Sequence, residues 1–579
     1  MYLPIGFVLT YLFSSSRGAT NCPLYGPIFP KPQNLSSSAY IQAAIQNLTT
    51  VFAARDADNS TGGYTNSYSV QIFSTSDTGS TPLFQHYHTA QNLASLNSTG
   101  VTQVNADSVY RIGSLTKVFT VYTFLAEAGD IHFNSPITDY IPELAALVKN
   151  TSANAIKRVA WEDITIGELA SHMAGIASDN SLMGELTQTI PPNISVEIGF
   201  PPLPAAEVPT CGVDPLCNRT EFFAGFAHMY PAFAPGETPA YSNVAFQLLA
   251  YALETITGRN FQTSLEDKIL QPLNLVHTFY TTPNDSVGVI PGNYSSTGWA
   301  NNLGEESPAG MMYASINDLS TFGRSILQSS ILSSAQTRRW FQPTALTSDL
   351  RETVGYPWGI RRIIMDPNRP YELITSFNKA GSIGSYSSLL ALLPEFNMGF
   401  SILIAGDLAL NNWVVADTLG DYILSAAQQA VREQAQTNYA GNYSSSALNS
   451  SLTLTADASK PGIGITSWIS NGTDMLIISN LLLTNAISAN FSARLYPTDL
   501  EVTAADGSKQ VVLKAIFEDL ATQATDSRFT AGCGTWIGPT AIVYGAMALD
   551  EFVFTLDPSG KAVSVEVSAL RLPMNRTGS

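Results

Sequence analysis

The sequence predicts an α/β (α+β) chain in two parts, a long segment of mixed helices and strands followed by an antiparallel β domain. Three observations carry that prediction. Between about residues 40 and 435, helical and alternating apolar patterns are interleaved. From 442 to 579 the patterns shorten into alternating segments separated by Gly, Asn, Asp and Ser. At 579 residues the chain is also longer than one ordinary hydrophobic core organises.

The elements follow in order. Ile5 to Phe13 is a short apolar stretch succeeded by small residues and Gly18-Ala19. This predicts a secretory signal over 1–19, although no Lys or Arg precedes it, and the stretch is too short to span a bilayer. An extension over 20–50 opens Pro-rich with "CPLYGPIFPKPQN". "SVQIFSTSD" from Ser69 alternates as a strand, and Ser114 to Gly129 is apolar at helical spacing with glycine at its end. Residues 191–217 are irregular and Pro-rich, a long loop near any site. Phe246 to Gly258 is a second apolar helix. Ser387 to Gly406, broken at Pro394-Glu395, is a strand, turn and strand. The polar helix "AAQQAVREQAQTNYAG", ending at Gly441, marks a boundary. The domains expected are therefore 51–435 and 436–579, the second built from segments such as "SLTLTAD", "DMLIISN", "SARLYPTDLEVTA" and "AVSVEVSALRL". There are no internal repeats.

Composition excludes some functions. With 45% hydrophobic and 10% aromatic residues the chain is globular. A formal charge of −18 argues against nucleic acid as a partner, since phosphate binding needs clustered Lys and Arg. Asn-x-Ser/Thr sequons are abundant, among them Asn34, Asn47, Asn59, Asn97, Asn150, Asn193, Asn218, Asn284, Asn442 and Asn490, which predicts a secreted, N-glycosylated protein with no membrane association after signal cleavage. The four cysteines allow three connectivities. One closes a small loop between Cys211 and Cys217 and staples Cys22 to the C-terminal region at Cys533. Oligomeric state is not encoded legibly.

Serine nucleophiles need a base within reach and donors for the developing oxyanion. The G-x-S-x-G elbow is absent, which argues against an α/β-hydrolase. No metal or cofactor is predicted: His86-Tyr-His88 puts two rings on one strand face with no third ligand nearby, and His172 reads as a buried, hydrogen-bonded residue near the site. A Ser/Lys/Tyr arrangement remains. Ser114 opens a helix and Lys117 follows one turn later on the same face, where desolvation turns a lysine into a base. Ser376-Phe-Asn-Lys379 repeats the spacing without a helix. Tyr-x-Asn occurs at Tyr64-Thr-Asn66, in a Gly-rich turn, and at Tyr241-Ser-Asn243, which opens an apolar helix. Lys-x-Gly occurs at Lys379-Ala-Gly381, before an apolar strand, and at Lys460-Pro-Gly462.

Selection by context leaves Ser114-x-x-Lys117, Tyr241-x-Asn243 and Lys379-x-Gly381, in that order. The chain thereby resembles the serine β-lactamase and penicillin-binding protein superfamily. The likeness covers about residues 50–430, including "LASHMAGI", "PAYSNVAFQLLAYALETITG" and "SPAGMMYAS". It is of the class C type, with esterases, D-aminopeptidases and transacylases, and resembles secreted fungal β-lactamase-like proteins in particular. The resemblance implies an antiparallel sheet flanked by helices and an acyl-enzyme serine hydrolase acting on small ester or amide substrates. In it Ser114 attacks, Lys117 and Tyr241 share the proton work, and Asn243 bonds Lys117 or a substrate amide. Lys379 places positive charge beside Tyr241 and helps bind a substrate carboxylate, and the N–H groups of Ser114 and Ser382, just after Gly381, form the oxyanion hole. Which of Lys117 and Tyr241 is the resting base is left open. Lys-Ala-Gly stands where true β-lactamases carry Lys-Thr-Gly, and the missing hydroxyl favours an esterase or peptidase. An acyltransferase of the same mechanism and a retired, binding-only fold are the alternatives.

Overall fold

The computed structural model describes residues 20–58, 63–96, 99–149, 154, 156–182, 184–484, 487–521 and 527–577. The expected signal segment and the sequons at Asn59, Asn97 and Asn150 lie outside them. The described residues divide into two compact units, one within 31–363 and 374–430, the other within 20–30, 364–373 and 431–577.

The first unit is built on an eight-stranded antiparallel sheet. Its strands are β1 (Ser67–Ser74), β2 (Phe84–His88), β3 (Ala345–Leu346), β4 (Glu352–Val354), β5 (Gly359–Ile364), β6 (Leu373–Ile383), β7 (Tyr386–Leu393) and β8 (Met398–Ala405). They lie in the order β2-β1-β8-β7-β6-β5-β4-β3. β1 is buried along its whole length because both faces are covered. Its even residues meet helix α1 (Ala39–Ala57), where the Phe52 ring lies 6.1 Å from that of Tyr68. Its odd residues meet the helix Ile316–Leu327: Gln71 accepts from Ser320 Oγ at 2.7 Å and donates to Asn317 at 2.8 Å. These polar residues inside the core are tolerated because they satisfy one another. β7 and β8 are the expected strand-turn-strand, joined over Pro394–Phe396.

Two further helices lie at the centre of the helical half of this unit. α2 (Thr116–Ala128) is buried from Thr116 to Leu125 and stops at Gly129, whose φ of 75° only glycine adopts without strain. α3 (Val244–Thr257) packs on it and ends at Gly258. Residues 191–217 are less irregular than expected: Pro192–Glu197 is helical, Ala205–Glu207 forms a turn, and the Cys211–Cys217 disulfide closes the end.

The second unit is a closed barrel. Its strands are β9 (Gly441–Ser445), β10 (Ser450–Thr455), β11 (Ile463–Ser470), β12 (Phe491–Thr503), β13 (Lys509–Asp519), β14 (Glu551–Leu556), β15 (Ala562–Val567) and β16 (Leu572–Thr577). They pair as β10-β9-β16-β15-β14-β13-β12-β11, and β11 returns to β10. Closure leaves no long edge exposed. Alternate residues point inward, so Phe552, Phe554 and Leu556 fill the interior with Trp468, Tyr443 and Val565. One expectation fails here. "DMLIISN" belongs to a helix, Met475–Thr484, started by the Asp474 carboxylate, which accepts the N–H of Leu476 at 2.9 Å. The run is continuously apolar, with no true alternation, and a cap residue precedes it, so the helical reading wins. The N-terminal segment is tied into this unit: Cys22 is bonded to Cys533, and its N–H donates to Glu518 at 3.1 Å.

Candidate active site

Ser114 sits in the turn Gly113–Leu115 that leads from the short strand Val109–Arg111 into α2. Two glycines press this turn against β6. Gly113 has φ 51°, and a Cβ there would lie 2.8 Å from the backbone nitrogen of Ser382. A Cβ on Gly381 would lie 2.0 Å from the carbonyl oxygen of Ile112. Only glycine permits that approach, and Ser388 Oγ secures it by donating to the same carbonyl at 2.7 Å. Ser114 and Ser382 thus line one cavity of about 470 Å³, with Tyr241, Lys379, Ala380 and Gly381.

Lys117 is fully buried beneath Ser114. Its nitrogen lies 3.2 Å from Ser114 Oγ, in hydrogen-bond reach, and donates to Asn243 Oδ1 at 2.7 Å and the Ala309 carbonyl at 2.8 Å. Burial and the nearby Lys379 ammonium pull the Lys117 pKa well below the ordinary lysine range, against the opposing pull of Glu306 and Asp179.

Tyr241 and Asn243 lie in the short approach to α3. The Tyr241 ring lies 4.9 Å from Lys117 Nζ and 5.3 Å from Lys379 Nζ. Although the residue is 45% exposed, desolvation on its inner side pushes the hydroxyl up to about 12, while a hydrogen bond with Ser114 pulls the other way. His172 holds this segment. It is buried, stacks on Tyr241 at 4.3 Å, and its Nδ1 accepts the N–H of Ser242 at 3.2 Å. Burial, with both lysines, keeps its imidazole neutral. Lys379 is buried on β6, its ammonium donating to the Ala380 carbonyl at 2.7 Å, and burial alone pulls its pKa down to about 7.

The fold therefore brings Ser114, Lys117, Tyr241, Asn243, Lys379, Gly381 and Ser382 into one place. Two neighbours escape sequence reasoning. Asp179 accepts from Asn243 Nδ2 at 3.3 Å, which leaves Asn243 Oδ1 facing Lys117. Behind it Glu306 is buried, and desolvation plus the adjacent Asp179 carboxylate raise its pKa well above the usual range, against the opposing pull of Lys117. Neither lies in a motif. Elsewhere, the His86–His88 pair is a structural clamp. His86 Nε2 and His88 Nδ1 meet the Asp56 carboxylate at 2.9 and 3.1 Å, tying β2 to α1. Among the described residues no group of three or more His, Cys, Asp or Glu is placed to hold a metal ion.

A family model described as Beta-lactamase matches residues 83–420. The chain belongs to the β-lactamase family. A second model, described as a beta-lactamase-like C-terminal domain, matches 431–578. A "Beta-lactamase-like protein" of Arthroderma benhamiae is 30% identical, covering 99% of this chain and 98% of its own. A "Probable hydrolase M10" of a Phoma species is 27% identical over 98% of this chain and 93% of its own. Among solved structures, a class C beta-lactamase aligns with a TM-score of 0.45 at 16% identity, covering 67% of this chain and 96% of its own. In this family member the β-lactamase fold occupies the first unit, and the barrel of the second is a family domain in its own right.

Proposed function

We propose that the chain is an exported serine hydrolase that cleaves small esters, and amides less readily, through an acyl-enzyme on Ser114. The observation that carries this reading is the hydrogen bond between buried Lys117 Nζ and Ser114 Oγ at 3.2 Å, with the Tyr241 ring beside both. A lysine this desolvated is readily neutral, whereas a tyrosine pushed up to about 12 holds its proton at neutral pH. Lys117 is therefore the resting base and Tyr241 the proton donor.

Neutral Lys117 takes the Ser114 hydroxyl proton as Oγ adds to the acyl carbon. The carbonyl oxygen becomes an oxyanion and is met by the N–H groups of Ser114 and Ser382. Collapse breaks the bond to the leaving group. That group takes the Tyr241 hydroxyl proton, which the Lys117 ammonium replaces. Water then repeats the sequence, releasing the acid and restoring the Ser114 hydroxyl. Asn243, held by Asp179, keeps Lys117 aimed at Ser114. Ala380 in place of a threonine removes a hydroxyl from the cavity wall, which favours esters over lactams.

Export is supported by two disulfides, with no free cysteine among the described residues, and by the exposure of every described sequon asparagine named above. Stopped-flow hydrolysis of a short-chain nitrophenyl ester tests the mechanism. A stoichiometric burst of nitrophenol is expected from the wild type and none from Ser114→Ala. A burst of equal size from that variant would refute the acyl-enzyme on Ser114.

A further inference from the structure

The cavity at Ser114 has a second wall that the reaction itself does not use. It is formed by the segment between β8 and the long helix Asn412–Asn438, and it presents Leu408, Leu410 and Trp413. Leu410 is buried, Leu408 is half-buried, and Trp413 is 47% exposed. An indole standing half-open to a cavity offers a rigid apolar platform.

This wall is built with care. Leu408 has φ 59°, a left-handed conformation uncommon for a residue with a side chain, and such strain persists only where the surroundings enforce it. Asn66 enforces it by accepting the Leu408 N–H at 3.0 Å, and its own amide donates to Asp407 Oδ1 at 2.6 Å. The same Asp407 oxygen accepts the Ala409 N–H at 3.0 Å. Further along, Asn412 Nδ2 donates to the Ser388 carbonyl at 2.7 Å, and Asn411 Oδ1 accepts the Trp413 N–H at 2.8 Å. Asn66 belongs to the Tyr-x-Asn copy that context set aside as lying outside the catalytic motifs. It has a task after all, in holding this wall.

The charges on the cavity point the same way. Lys379 is the one basic side chain among the residues lining it, and its ammonium is engaged by the Ala380 carbonyl. No arginine lines the cavity to grip a carboxylate in two-pronged fashion. The chain's net formal charge of −18 adds no attraction for an anion.

The geometry points to a neutral ester as the substrate, one arm of which is apolar and lies along Leu408, Leu410 and Trp413, with Trp413 setting the preference for that arm. This rests on the acyl-enzyme reading of Ser114. It goes beyond it by naming the substrate class and a specificity-determining residue outside the catalytic motifs.

The test measures kcat/KM over two ester series. In one the acyl arm lengthens from acetate through butyrate to octanoate; in the other the alcohol arm lengthens on a constant acetate. Each is compared with an ester of matched length ending in a carboxylate. Labelling of Ser114 by a fluorophosphonate is followed in parallel. The expected result is a rise of about tenfold or more along at least one series, with the carboxylated ester disfavoured by a similar factor. Trp413→Ala should flatten that rise, and Trp413→Phe should restore part of it. Ser114 labelling with flat chain-length profiles, a preference for the carboxylated ester, or an unchanged slope in Trp413→Ala would overturn this inference alone. Absence of labelling would overturn the acyl-enzyme reading and this inference with it.

Discussion

Lys117 has no surface in contact with water, and its nitrogen is hydrogen-bonded to Ser114, Asn243 and the Ala309 carbonyl. A lysine so placed is useful as a base because its environment disfavours charge. Replacing Lys117 by Ala, or Tyr241 by Phe, should lower kcat/KM for ester hydrolysis by about 10²–10⁴. Near-normal turnover in Tyr241→Phe would remove the phenol from the mechanism. The rate should rise with pH as Lys117 loses its proton, at a pH well below the ordinary lysine range. Asp179 and Glu306 hold that pKa up, so an Asp179→Asn/Glu306→Gln double variant should move the acidic limb of the profile to lower pH. Asp179→Asn alone should move it less, because Glu306 then loses its like-charged neighbour and ionises more readily. An acidic limb identical to wild type in the double variant would show that the pair does not act on Lys117.

At the scale of elements, the site depends on a turn and a strand whose backbones nearly touch, at Gly113 and Gly381. The clamp between α1 and β2 is different, being held by charge. Its Asp56 carboxyl lies below the usual range through its hydrogen bonds to His86, His88 and Tyr68, which outweigh its burial. Burial lowers His88, but its hydrogen bonds to Asp56 and the Gly63 carbonyl outweigh that and leave it raised. A raised histidine adds stability below its unfolded pKa and loses it as pH rises through the folded value; a depressed carboxylate adds stability above its own unfolded pKa. The clamp is therefore strongest in mildly acidic solution. His88→Gln should cost more stability at pH 5 than at pH 8 in denaturant unfolding, and equal costs would contradict the account. Local periodicity made much of the fold legible: α2 with its closing Gly129, α3 with Gly258, and the β7–β8 hairpin were readable because each follows from spacing and a stop signal. "DMLIISN" was misread because an apolar run without alternation fits either element. Within the site, Ser114 and Lys117 were readable as one turn of helix. Asp179, Glu306 and Trp413 were not, since they join the site only through tertiary contacts that leave no spacing behind.

Across the whole molecule, each unit solves its own core problem. The first buries a sheet between helices, and the second closes a barrel that leaves no long edge to protect. The second unit also reaches for the distant N-terminal segment, fastening Cys22 to Cys533 across 511 residues of sequence. Cys533→Ser should lower the stability of the barrel by about 2–5 kcal/mol, since the link restricts a long loop in the unfolded chain. Hydrogen exchange over residues 441–577 would report it as faster exchange than in wild type, and unchanged exchange would deny the link a stabilising role. The most direct test of the central claim is the intact mass of the protein after reaction with a fluorophosphonate, with the modified peptide sequenced. A single adduct on Ser114 is predicted, lost in Ser114→Ala and formed far more slowly in Lys117→Ala. No adduct on the wild type, or an equal adduct on Ser114→Ala, would contradict it.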